Sequence, residues 1–149
     1  MILVMQGPNL SQLGSRDPAV YGTATVDDLL AIVRAEVGEV DAITSESEAE
    51  LVARLHAART DGTTGVIVNP GALTHYSYAL RDALELLEVP IVEVHLSQTH
   101  AREAFRRLSV ISPVVDVTIT GAGALGYRLA ALAVRERATA VAGQDMLNR

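Results

Sequence analysis

Gly65-Val66-Ile67-Val68-Asn69-Pro70-Gly71 (residues 65–71) decides the fold of this chain. The run is apolar without alternation, as a strand covered on both faces of a parallel sheet must be. Pro70-Gly71 stops it sharply. Upstream, Thr60-Asp61-Gly62 reads as a turn. A helix capped by Ser45 or Ser47 runs through about Arg59, with Leu51, Leu55 and Ala58 on one face. Val40–Thr44 is a short strand before it. Thr25 reads as the N-cap of an earlier helix that ends near Gly38, with Asp27 and Asp28 in its first turn. Met1–Gln6 is the first strand. Downstream, helix signals run from about Tyr76 to Glu88, and Pro90–His95 is a fourth strand. A short helix is expected over about Ala101–Leu108, a fifth strand over Val114–Thr120, and a last helix within Gly121–Ala138. Strands interleaved with helices imply a parallel sheet wrapped on both faces through right-handed crossovers. The simplest arrangement is an α/β, flavodoxin-like three-layer fold with a five-stranded sheet of order 2-1-3-4-5. Residues 1–138 are expected to form one domain. Residues 139–149 lack clear periodicity and read as a loosely ordered C-terminal tail.

Composition narrows the chemistry. The chain has 149 residues, 49% apolar, and carries a net charge of −6, which excludes disorder and speaks against nonspecific nucleic-acid binding. No run is long enough to span a membrane, and the N-terminus lacks a basic signal-peptide start, so a cytoplasmic location is expected. There is no cysteine, which excludes disulfides and thiolate metal sites. All twelve basic residues are arginine. Without lysine, neither a Schiff base nor a lysine-bearing phosphate loop is available. One phenylalanine and no tryptophan leave few stacking platforms for bases or flavin.

In a sheet of this order, ligands sit beyond the carboxyl ends of the strands at the switch point between strands 1 and 3. The polar residues follow that rule. After strand 1 comes a long loop, Asn9–Gly22, with Arg16 and Tyr21 five residues apart. A loop of this length in a small domain is usually a lid or binding loop. A nearby guanidinium favours the phenolate of a tyrosine that otherwise ionises near pH ~10, making it a base. Read without regard to function, the segment is a surface loop with Tyr21 packed as a hinge. After strand 3 come Asn69, Thr74 and His75. Strand 4 ends in Glu93-Val94-His95, whose alternate residues share a face, so a carboxylate sits beside an imidazole, orients it and favours its acid form. Ser97, Arg102 and Arg106 follow. The two arginines, four apart, are expected on one helix face and suit an anionic or hydroxyl-rich ligand. His56 and His100 read as structural. His75 and His95 do not form a local metal motif, and no metal site is expected.

These residues resemble the type II 3-dehydroquinate dehydratases. The resemblance runs from about Ile2 to Ala133. It rests on Gly7-Pro8-Asn9-Leu10 with Leu13-Gly14, Arg16, Pro18 and Tyr21-Gly22, then on Ser45, Glu48 and Glu50-Leu51. It continues in Asn69-Pro70-Gly71-Ala72 with Thr74-His75, Ala79–Ala83, Val92–Ser97, His100–Glu103 with Phe105-Arg106, and finally Gly121 and Gly126-Tyr127-Arg128. The absence of lysine fits, since the unrelated type I enzymes need a Schiff-base lysine.

The resemblance implies a hydro-lyase that removes water from 3-dehydroquinate by anti elimination through an enolate, giving 3-dehydroshikimate without metal or organic cofactor. Tyr21, ionised beside Arg16, takes the proton from C2. A water held near Asn9 stabilises the enolate oxygen. His95 protonates the leaving C1 hydroxyl, with Asn69 and Glu93 supporting that end. Leu96 and Ser97 hold the substrate carboxylate, His75 and Arg106 bind ring hydroxyls, and Arg102 positions or activates the tyrosine. Asp82 acts across a subunit boundary, in a homododecamer built from trimers. The implied setting is aromatic amino-acid biosynthesis by the shikimate pathway, or quinate breakdown. The chain departs from the usual pattern at Ser11-Gln12 in the lid, at Thr44-Ser45-Glu46, at Leu73 and at Gln98-Thr99. None of these removes a proposed acid, base or arginine, though Glu46 adds a charge. The rival reading is a non-catalytic paralogue that binds a cyclic polyol carboxylate as a sensor or interaction module. The presence of Arg16, Tyr21 and His95 argues against it.

Overall fold

A computed structural model describes residues 1–147. Five strands form one all-parallel sheet: β1 (Ile2–Gln6), β2 (Val40–Thr44), β3 (Gly65–Asn69), β4 (Ile91–His95) and β5 (Val117–Thr120). Their order is β2-β1-β3-β4-β5, the flavodoxin-like order expected from the sequence. Strands β1, β3 and β4 are buried from end to end, which explains their unbroken apolar runs.

The helices are α1 (Pro18–Tyr21), α2 (Val26–Val37), α3 (Glu48–Ala58), α4 (Tyr78–Glu85) and α5 (Leu125–Leu147). Alternation along the strands sorts the core into two layers. Val4, Ile67, Val92 and Val94 face α2 and α5, where they meet Leu29, Val33, Tyr127, Ala130 and Val134. Leu3, Met5, Val66 and Val68 face α3 and α4, where they meet Leu51, Leu55, Leu80 and Leu84. The caps are those the sequence indicates. The Thr25 side chain accepts from Asp28 N–H, and Asp28 reaches back to the Thr25 backbone, closing a capping box. Of the two serines before α3, Ser47 is the cap. Among the described residues no helix is long and apolar enough to cross a membrane.

Three helix expectations change. The Ala101–Leu108 helix does not form. Two short 3₁₀ turns, Thr99–Ala101 and Ala104–Arg107, stand in its place. Arg102 between them is extended at φ −102°, ψ −158°. Arg102 and Arg106 are therefore not on one helix face. The long-range hydrogen bonds of the Arg102 side chain override the weak local helix preference. The helix expected from Tyr76 to Glu88 is α4, shorter at both ends and preceded by a 3₁₀ turn over Gly71–His75. Finally, α5 starts at Leu125 and runs to Leu147, so positions 139–147 continue the last helix, and residues 148 and 149 lie outside the described residues.

Candidate active site

The loops after β1, β3 and β4 meet at the carboxyl edge of the sheet and enclose one polar cleft. Two glycines permit their close approach. A Cβ on Gly7 would lie 2.4 Å from the Pro70 carbonyl oxygen. Gly71 adopts φ +59°, and a Cβ there would lie 2.8 Å from the Pro8 carbonyl. Segments 7–9 and 69–71 thus interlock, and Gly7 N–H donates to the Asn69 carbonyl at 2.8 Å.

The loop after β1 is anchored by its own side chains. Buried Leu10 and Leu13 pin its first half. Asp17 caps α1, accepting from Ala19 N–H at 3.0 Å. Asn9 takes the left-handed conformation at φ 69°, which asparagine tolerates better than most residues. Its backbone N–H donates to Glu46 at 2.8 Å, and the Ser11 hydroxyl donates to the same carboxylate at 2.5 Å. Ser11 and Glu46, two of the departures noted above, therefore meet. The Ser11 and Asn9 hydrogen bonds hold the Glu46 carboxyl below its usual range.

Tyr21 lies between two arginines. The Arg16 guanidinium carbon sits 3.6 Å from the ring centroid, stacked on its face. Arg102 reaches the phenolic oxygen itself, with Nη2 at 2.8 Å, while its Nη1 donates to the Ser97 hydroxyl at 3.1 Å. The arginine that touches the phenolic oxygen is thus the one 81 positions away, and not the near neighbour that sequence proximity favours. Ser97 and Leu96 are held in turn, their carbonyls accepting from Gly121 and Gly123 N–H, each at 3.0 Å.

On β4, Glu93 and His95 share a face as their spacing requires. His95 Nε2 lies 2.7 Å from Glu93 Oε1. Glu93 is fully buried. Its carboxylate also accepts from Thr74 at 2.5 Å and Ser112 at 2.5 Å, with Ser109 and Thr118 at 3.5 and 3.4 Å. Burial alone would push this carboxyl up. The hydrogen bond and charge of His95, with the Ser112 and Thr74 hydroxyls, outweigh it and hold the group below the usual carboxylate range. An ionised carboxylate only accepts, so the proton on that side belongs to His95 Nε2 and the second ring nitrogen, Nδ1, is left for a ligand.

His75 turns Nδ1 to the Leu108 carbonyl at 2.7 Å, leaving Nε2 for a ligand, and packs edge-on against Phe105. Arg106 is held by Glu103 at 2.6 Å. The cleft gathers Asn9, Arg16, Tyr21, Asn69, His75, His95, Leu96, Ser97, Arg102 and Arg106. Glu93 stands just behind His95. Asp82 is exposed on α4 and does not line the cleft of its own chain. His56 is exposed on α3.

Sequence reasoning placed Thr74 beside the site without its partner, and missed Ser109, Ser112 and Thr118 around Glu93 and two further partners of the site, Gln6 and Tyr127. Tyr127 O–H donates to Gln6 Oε1 at 3.2 Å and accepts from Asn69 Nδ2 at 3.0 Å. Only the dense polar pattern Thr74-His75 hinted at the first group. Tyr127 stands among the residues that carry the resemblance, but on an apolar helix face nothing local points to its role.

The family model described as dehydroquinase class II matches residues 1–135. A 3-dehydroquinate dehydratase of Thermotoga neapolitana is 50% identical over 139 residues, covering 91% of this chain and 94% of that protein. The 3-dehydroquinate dehydratase 1 of Corynebacterium efficiens is 51% identical over 134 residues, 87% of each chain. The crystal structure of type II dehydroquinase from Propionibacterium acnes superposes with a TM-score of 0.83 at 44% identity, covering 93% of this chain and 95% of that one. The Butyrivibrio crossotus type II dehydroquinase gives 0.81 at 37% identity, covering 99% and 97%. With the family model spanning almost the whole chain and relatives near half identity, this chain belongs to the class II dehydroquinase family.

Proposed function

We propose that this chain is a 3-dehydroquinate dehydratase working by enolate-mediated elimination of water. The observation that carries the reading is one cleft holding Tyr21, bound at its oxygen by Arg102, together with His95, backed by the buried Glu93 carboxylate. A base and an acid with separate electrostatic supports are what a stepwise elimination requires. Tyr21 as phenolate has the Arg102 donor on its oxygen and the Arg16 charge on its ring face. It takes the proton from C2, and the electron pair moves onto the C3 oxygen as an enolate. A water near Asn9 stabilises that oxygen. When the enolate collapses, the C1–O bond breaks and His95 delivers a proton to the departing hydroxyl, releasing water and the conjugated enone. Return of the proton from Tyr21 and reprotonation of His95, both through solvent, reset the site.

Leu96 and Ser97 hold the substrate carboxylate, and His75 and Arg106 hold ring hydroxyls. Asn69 binds at the leaving-group end. The route draws on the protein's own groups, the Leu96 backbone among them, and on water, without metal or organic cofactor. Asp82, exposed on α4, serves the site of a neighbouring subunit in a homododecamer built from trimers. The catalytic domain spans residues 1–138, with α5 continuing past it to Leu147, and the enzyme works in the cytoplasm, in the shikimate pathway of aromatic amino-acid biosynthesis or in quinate breakdown.

The test is direct. Purified protein mixed with 3-dehydroquinate should produce the ultraviolet absorbance of the conjugated enone. Binding of substrate without any absorbance change would refute the enzyme reading in favour of a sensor.

A further inference from the structure

Tyr127 is fully buried among Ala130, Ala131 and Val134 on the inner face of α5. Phenylalanine would fill nearly the same volume without a hydroxyl to desolvate. The hydroxyl has a specific place. Gln6 and Asn69 are register partners at the ends of β1 and β3, and both point to this face. The Tyr127 oxygen lies 3.2 Å from Gln6 Oε1 and 3.0 Å from Asn69 Nδ2.

The direction of this chain of hydrogen bonds is determined by one backbone donor. Gly71 N–H points at the Asn69 side-chain oxygen, 3.2 Å away. An N–H cannot face an NH₂ at that distance, so the Asn69 carboxamide must place its oxygen there and its nitrogen toward Tyr127. The Tyr127 oxygen therefore accepts from Asn69, and its own proton goes to Gln6 Oε1. Asn69 is 4% exposed and lines the cleft. With its oxygen turned to Gly71 and one nitrogen hydrogen taken by Tyr127, it has a second N–H left to offer the cleft as a donor.

We infer that Tyr127 is a positioning residue for the reaction, locking the Asn69 carboxamide as a hydrogen-bond donor to a substrate oxygen. The inference rests on the proposed role of Asn69 in binding substrate. Burial pushes the Tyr127 phenol well above its ordinary range, so it stays protonated and the hydrogen bonds keep one direction across the working pH range. Without the hydroxyl, Asn69 loses the partner that fixes its torsion, and its free N–H is no longer aimed.

The experiment is a double-mutant cycle read in kcat and KM, with Tyr127→Phe, Asn69→Ala and the pair, alongside melting temperatures. Tyr127→Phe is expected to lower kcat/KM about tenfold, the share of one hydrogen bond. In the Asn69→Ala background the same change should cost less than about twofold, because the group it positions is gone. A merely structural Tyr127 would shift the melting temperature equally in both backgrounds and show no kinetic coupling. Kinetics of Tyr127→Phe within twofold of the parent, or losses that multiply in the pair, would overturn the inference. Asn69→Ala with parental kinetics would instead refute the role of Asn69 and, with it, the inference. Gln6→Leu supplies a second route should Tyr127→Phe not fold: it removes the acceptor for the tyrosine proton and should show the same coupling to Asn69→Ala, weaker in size. No coupling there would also overturn the inference.

Discussion

Replacing Glu93 by glutamine isolates the charge of one buried carboxylate with almost no change of shape. The Oε1 side takes His95 at 2.7 Å and Thr74 at 2.5 Å, and the Oε2 side takes Ser112 at 2.5 Å. Glutamine keeps one oxygen, which must remain on the His95 side because Nε2–H is a donor. Its NH₂ then faces Ser112, whose hydroxyl has to turn and accept. Two bonds survive in neutral form and one is reversed. Hydrogen bonds to a charged group contribute ~1.5–3 kcal/mol against ~0.5–1.5 for neutral ones, so the net loss in stability near neutral pH is about 2 kcal/mol. Turnover falls further, because the imidazolium of His95 loses its counter-charge. A unit charge pair about 4 Å apart is worth ~4 kcal/mol at an effective dielectric of 20, an upper bound that solvent access reduces to roughly 10²-fold in kcat.

The pH dependence has a definite sign. The Glu93 carboxyl is depressed in the folded protein, so its contribution is fully present above the unfolded value of 4.5 and is lost as pH falls through the lower folded value. Urea denaturation of parent and Glu93→Gln protein at stepped pH, with enone absorbance for turnover, measures both effects. The stability gap should be open near pH ~5 and close as pH falls through the lower folded value of Glu93. A gap that keeps widening below pH ~4.5, or a Glu93→Gln enzyme with parental kcat, would refute the account of Glu93 as an ionised support of His95.

Three further outcomes follow from the same geometry. Tyr21→Phe and His95→Ala should each lower kcat by at least ~10²-fold while leaving circular dichroism unchanged, and near-normal rates would show that base and acid are misassigned. Arg102→Met should lower kcat/KM more than Arg16→Met, because Arg102 donates to the phenolic oxygen while Arg16 contacts only the ring face; the reverse order in steady-state kinetics would contradict the geometry. Gly7→Ala should destabilise the fold by ~1–3 kcal/mol in denaturant titrations, since the new methyl meets the Pro70 carbonyl at 2.4 Å and backbone there cannot give; unchanged stability would show the two loops to be looser than described.

Local regularities carried the fold. Continuous apolar runs in β1, β3 and β4, the Thr25 and Ser47 caps, and the Pro70-Gly71 break are all properties of neighbours in the chain, and the strand order they imply is the one the sheet adopts. The same holds for Glu93 and His95, which share a face because side chains alternate with a period of two. Where long-range bonds compete with local preference, the local preference loses. Arg102 is extended so that its guanidinium reaches Ser97 and Tyr21, and the expected Ala101–Leu108 helix gives way to two short turns.

What the sequence determined by itself, then, is the sheet, its two apolar layers and the clustering of polar residues after strands 1, 3 and 4, because each depends on periodicity along the chain. Only the tertiary structure decided which arginine touches the Tyr21 oxygen, which hydroxyls converge on Glu93 from Thr74, Ser109, Ser112 and Thr118, and that Tyr127 O–H sits between Gln6 and Asn69. These pairings join residues from 16 to 121 positions apart. A hydroxyl has no sequence periodicity of its own, and on an apolar face it looks like any core residue. Its partner is set by where folding brings two distant backbones close enough for their side chains to meet at hydrogen-bond distance, which is a property of the packed layers and not of any stretch of chain.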